Sequence, residues 1–170
     1  MTHAAFSGFD QLASGSLAEV YAACRHDPSA LIFDQETGRV VDVDPRFPPS
    51  EEGPKPGRPK LGVVAREVTL LPRHWDWLAT QPGGASVALR KLVEAARNVK
   101  RPQDLVRGAQ EAAYRFMTAM AGNLAGYEDA IRALYARDRE RFGALTTGWP
   151  ADIRDHAQRL AEAALAETSG

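Results

Sequence analysis

Residues 57–97 read GRPKLGVVAREVTLLPRHWDWLATQPGGASVALRKLVEAAR. A basic arm, Gly57 to Lys60, leads into an apolar, β-branched run from Val63 to Leu71, which predicts a strand. Pro72 stops that run and suits the first position of a helix, where the N–H it lacks would have no partner anyway. A short helix carrying Trp75, Trp77 and Leu78 follows, closed by the turn Pro82-Gly83-Gly84. Ser86 is then the expected N-cap of a second helix, with Val87, Leu89, Leu92, Val93 and Ala96 at helical spacing.

Strand, helix, glycine turn, helix is an order that resembles the ribbon-helix-helix superfamily of DNA-binding proteins. The resemblance implies two chains pairing residues 64–71 into an antiparallel ribbon that enters the major groove of duplex DNA. A lone strand leaves its backbone groups unpaired, so the expected state is a homodimer through residues 64–71. Strand register stays open. Val64, Arg66, Val68 and Leu70 share one face, and Glu67 and Thr69 stand on the other. One register presents Arg66 to DNA, and the other presents Glu67 and Thr69. On this reading the DNA contacts are Arg58, Lys60, Arg66, Thr69, Arg73, Ser86, Lys91 and Arg97.

Charge singles out the same region. The net charge of −1 conceals an asymmetry: residues 1–52 carry nine acids against three Arg, whereas residues 53–107 carry eleven Lys or Arg against four acids. Residues 108–170 return to nine acids against seven Arg. A basic block of this kind is the electrostatic footprint of a polyanion-binding surface, or it neutralises its acidic neighbour within one monomer. Just before the strand, residues 45–60 hold six Pro and two Gly in sixteen positions, which predicts an extended linker. Within it Lys55 to Lys60 resembles part of an AT-hook, in which Gly-Arg-Pro lies in the narrow minor groove of A·T-rich DNA. Pro56 stands where the full motif has a second Arg.

Outward from this stretch, the chain reads as an α+β protein: a small N-terminal β-α-β-β unit at 1–45, a Pro/Gly-rich basic linker at 46–60, the ribbon-helix-helix-like strand-helix-helix segment at 61–99, and a C-terminal helical unit at 100–170. Residues 4–9 predict a strand anchored by Phe6 and Phe9. Ser16 with Glu19 has capping-box spacing for a helix over 17–25. Residues 31–34 and 39–44 predict a hairpin turned at Gly38. Pro102 is placed to start a helix running to Ala121, with Gly122-Asn123 ending it in the left-handed conformation. Helices over 127–145 and 151–166 complete the chain, the former with Tyr127, Ile131, Leu134, Tyr135, Phe142 and Leu145 inward.

No apolar run reaches bilayer-spanning length and the N-terminus lacks a signal-peptide pattern, so no membrane association is expected. Cys24 is the single cysteine, excludes an intrachain disulfide and points to the cytoplasm; it is expected as a small apolar residue on a helix face. The four His are scattered, and no P-loop, serine elbow or dinucleotide fingerprint is present. Asp152, Asp155 and His156 form the best constellation for metal chemistry and give the alternative reading, a small ligand- or metal-binding enzyme using the last helix. A second alternative is an antitoxin-like module whose C-terminal helices grip a protein partner. The preferred reading needs no catalytic group, cofactor or metal.

Four segments, FSGFDQLASG near the start, LIFDQETGRVVDVD, the stretch quoted above, and AAYRFMTAMAGNLAGYEDAIRALYARDRERF followed by WPADIRDHA, resemble a bacterial family known only as a domain of unknown function, number twenty-two thirty-nine. The resemblance implies a soluble bacterial protein and carries no activity with it.

Overall fold

The computed structural model describes residues 1–44, 46, 48–49, 64 and 66–166. It is an α+β protein with one three-stranded antiparallel sheet near the N-terminus and a mostly helical remainder. By internal contacts the chain divides into two units, one comprising 1–51 with 103–170 and the other 52–102. Among the described residues, no helix is long and apolar enough to cross a membrane.

In the first unit, β1 (His3–Ser7) turns at Gly8, whose φ of 57° lies in the left-handed region, into β2 (Asp10–Gly15). Helix α1 (Leu17–Cys24) opens with the expected capping box: Glu19 N–H donates to Ser16 Oγ, and Ser16 N–H donates to Glu19 Oε2 at 2.8 Å. β3 (Leu31–Asp34) then pairs with the other side of β1, giving the order β2-β1-β3. The N-terminal order is therefore β-β-α-β rather than β-α-β-β. The strand at Asp10–Gly15 escapes sequence reading because its half-buried positions are Gln11, Ala13 and Gly15, which give almost no apolar alternation. Residues 39–44, expected as the second arm of a hairpin, contribute one isolated bridge between Phe33 and Val40. Phe6 is buried as expected, but Phe9 lies beyond the Gly8 turn and is exposed.

The turn after β3 is set by one carboxylate. Asp34 Oδ1 accepts from Glu36 N–H, Thr37 N–H and Thr37 Oγ1 at 2.7–3.0 Å. Gly38 follows at φ 65°, and a Cβ there would stand 2.0 Å from the Ala112 carbonyl oxygen. Only glycine fits both demands.

Helix α2 (Pro72–Ala79) begins at its proline, as expected. Helix α3 (Gly84–Met120) is longer than either helix the sequence suggests, and contains Pro102 in its interior rather than at its start. The helix starts two residues before Ser86, so Ser86 lies within the first turn and is not the N-cap. Pro102 lacks the N–H that would bond the carbonyl four residues back. The division between the two units falls at this residue. Gly122 keeps a negative φ, and the left-handed residue is Gly126, at φ 78°, which caps α4 (Tyr127–Ala136). The single helix expected over 127–145 is two. Arg137 adopts φ 61° and ends α4, and Asp138 caps α5 (Arg139–Thr146) by accepting from Arg141 N–H at 2.9 Å. Helix α6 (Ala151–Leu165) follows Trp149-Pro150, with the Trp149 indole N–H donating to the Ala125 carbonyl at 2.9 Å.

The core of the first unit joins sheet and helices. Phe6 and Phe33 from the sheet pack with Phe116 and Met117 of α3, Leu134 of α4, Phe142 of α5, and Ile153 and Ala157 of α6. The Gln11 N–H donates to Asp152 Oδ2 at 2.7 Å, a further tie between β2 and α6. Segments 1–45 and 100–170, which the sequence suggests as separate, thus share side chains in one interior. A smaller cluster of Ala5, Val20, Cys24 and Ile32 lies under α1. Cys24 is buried there as a small apolar residue, and burial raises its thiol pKa. Tyr135, expected inward on periodicity, is exposed.

Candidate nucleic-acid interface

The second unit, 52–102, holds all eight of the expected DNA contacts. Arg58 and Lys60, with the whole Lys55–Lys60 arm, lie outside the described residues. Among the described residues, 64 and 66–71 are not part of any strand pairing. Among the described residues, 64 and 66–70 make no backbone hydrogen bond, and the Leu71 carbonyl accepts from His74 and Trp75 as α2 begins. A segment of five or more such residues holds unmet donors and acceptors, which water or a second strand must satisfy.

Arg66, Thr69, Arg73, Ser86, Lys91 and Arg97 are all exposed. Arg97 is held by Glu94, with Nη1 to Oε2 at 3.1 Å, and neighbouring Arg90 donates from Nε to the Ser86 carbonyl at 3.2 Å. Among the described residues, Arg66, Arg73, Lys91, Lys100 and Arg101 enter no ion pair. The Arg residues of the first unit behave differently. Arg115 bonds Glu111 and the Thr37 carbonyl, Arg132 bonds Asp129 and Glu128, and Arg139 bonds the Leu165 carbonyl.

The described part of the second unit also exposes apolar side chains. Leu78 and Ala88 are the only buried hydrophobic residues described in this unit. Val64, Val68, Leu71, Trp75, Trp77, Leu92, Val93 and Val99 are exposed, Val99 to 80%. On α3, Val87, Leu89 and Val93 line a shallow groove flanked by Arg90, Lys91 and Glu94. An exposed apolar groove rimmed by charged side chains is the kind of surface that marks an interaction site. The half-exposure of both Trp residues was not legible in the sequence, since large aromatics at the start of a helix ordinarily pack.

The carboxylate–His constellation on α6 does not converge. Asp152 accepts from the Gln11 backbone, and Asp155 accepts from Arg154 Nε at 2.8 Å. His156 turns the other way, into the core, with ring centroids 4.3 Å from Phe116 and 5.0 Å from Phe6. Its Nδ1 meets an Arg159 Nη2, and its Nε2 is buried without a hydrogen-bond partner. Burial, with Arg159 second, pushes the imidazole down to about 4. Among the described residues, no group of three or more His, Cys, Asp and Glu is placed to hold a metal ion. The position of His156 is readable in retrospect: it stands three residues after Ile153 and four before Leu160, on the apolar face.

A family model described as an uncharacterized protein conserved in bacteria, DUF2239, matches residues 2–161. No curated protein and no solved structure gives a match to the chain.

Proposed function

The chain belongs to that uncharacterised bacterial family, and from its own residues we propose that it is a non-enzymatic DNA-binding protein acting as a homodimer. In this reading residues 64–71 of two copies pair into a β-ribbon for the major groove of duplex DNA. The GRPK arm at 57–60 follows the adjacent minor groove, and Arg73, Lys91 and Arg97 contact phosphate. Regulation of transcription is the use such a ribbon suggests.

One observation supports the reading: among the described residues, cations without an ion pair and exposed apolar side chains coincide in the stretch where 64 and 66–70 make no backbone hydrogen bond. Pairing two copies would satisfy the backbone of 64–71 and cover part of the apolar surface. It would also bring two positive surfaces together, an arrangement stabilised by a polyanion between them.

Light scattering of the full chain, paired with titration of labelled duplexes, tests this. A dimer whose affinity for DNA falls steeply with salt is expected. Arg66→Ala should cost about 1–3 kcal/mol at one base position if Arg66 reads the major groove. Lys91→Ala should weaken all sequences alike. A protein that stays monomeric and binds no duplex at low salt removes the proposal.

A further inference from the structure

Helix α2 carries two Trp residues that differ in their surroundings. Residues three or four apart share a helix face, and residues two apart do not. Trp75 stands three before Leu78, the one buried side chain of α2, and so borders the packed face. Trp77 stands four after Arg73 and three after His74, on a face where nothing is buried. Trp77 is 50% exposed, and Arg73 beside it has no ion-pair partner among the described residues. The third Trp, Trp149, is buried in the first unit with its indole N–H bonded, and takes no part.

An indole ring held on a helix next to a free guanidinium offers a π-face and a phosphate contact at once. Duplex DNA hides its base faces and uses only the second. Unpaired bases use both, since every base has a face to stack and each is followed by a phosphate.

We infer that α2 binds single-stranded nucleic acid, with an unpaired base stacked on Trp77 and the neighbouring phosphate on Arg73. The inference rests on the DNA-binding reading and adds a second ligand form to it. A single-strand site beside a duplex-reading ribbon suits DNA that is locally opened or carries an unpaired end.

The test uses the full chain with dT12, rU12 and a 20-base-pair duplex, following labelled-ligand anisotropy and intrinsic Trp emission. The expected result is quenching by dT12 in the native protein and in Trp75→Phe, but not in Trp77→Phe. Trp77→Ala and Arg73→Ala should each weaken dT12 by about tenfold, the effect of losing one stacked base or one phosphate contact. Comparison of dT12 with rU12 separates DNA from RNA as the preferred source of unpaired bases. Retained duplex binding with no dT12 or rU12 binding overturns the inference and leaves the function above standing. Loss of all binding to every ligand overturns both. Single-strand binding that is indifferent to Trp77 overturns the inference. So does a Trp77→Phe protein whose light-scattering mass falls to half that of the native protein, which would make Trp77 part of the subunit contact.

Discussion

The two units of the chain use the same residue types in opposite ways. In the first, 1–51 with 103–170, Phe6, Phe33, Phe116 and Phe142 are buried, and Arg115, Arg132 and Arg139 are each bonded to a carboxylate or a carbonyl. Among the described residues of the second, 52–102, Leu78 and Ala88 are the only buried hydrophobics and five cations stand without a carboxylate. The described residues of this unit bury little apolar surface to offset the entropy of ordering them. The first unit is accounted for by its interior, whereas in the second the proposed pairing of two copies and contact with DNA would supply what its own contacts lack.

The sharpest way to break this comparison is to remove one large side chain from each unit. Phe116→Ala leaves a cavity among Phe6, Phe33 and His156, and should cost about 3–5 kcal/mol in chemical denaturation. Leu92→Ala, on the exposed side of α3, should cost less than about 0.5 kcal/mol at concentrations where the chain is monomeric. Comparable losses would show that the second unit has an interior of its own.

Acid should act on the first unit through His156. Its folded pKa of about 4 lies below the ordinary value of 6.5, so the unfolded chain binds the extra proton first. Stability from this group is complete above pH 6.5, declines as pH falls, and is lost by pH 4. The loss is about 3 kcal/mol for a shift of this size. Urea midpoints across that range should show the slope, and His156→Leu, which fits the same aromatic surroundings, should flatten it. A slope unchanged by the substitution would place the titration elsewhere.

Gly38→Ala combines a positive φ with a collision against the Ala112 carbonyl, and should destabilise by about 2 kcal/mol or more. The smallest effect is that of Ser16→Ala, which removes the α1 cap at about 1 kcal/mol. Both are read as shifts in the thermal midpoint.

What the sequence disclosed followed the strength of its local signals. The Ser16–Glu19 box and Pro72 at a helix start are decided within four residues, and both stand where they were expected. Asp10–Gly15 pairs with β1 through backbone bonds that its weakly apolar side chains do not announce. Pro102 ordinarily opens a helix, but here lies inside α3, where residues 91–105 are all exposed and helical propensity on either side carries the helix past the one lost backbone bond. The break at Arg137 has no glycine to mark it; an Arg takes the left-handed conformation, and Asp138 restarts the chain as α5. At the candidate interface, the concentration of basic residues was legible, because charge is a property of composition. The inward turn of His156 and the exposure of Trp77 depend on which face of a helix finds a partner, and that is decided by residues far away in the chain.

Affinity for a labelled duplex between 50 and 200 mM salt tests the central claim most directly. Each phosphate neutralised contributes about −0.9 to the slope of log K against log salt, so engagement of four cations should weaken binding roughly a hundredfold over that interval. Among the described residues, Arg66, Arg73, Lys91, Lys100 and Arg101 enter no ion pair and can supply it. A steep slope that becomes shallower when Lys91 and Arg73 are replaced by Ala is the predicted result. No detectable binding to any duplex at 50 mM salt would contradict the account.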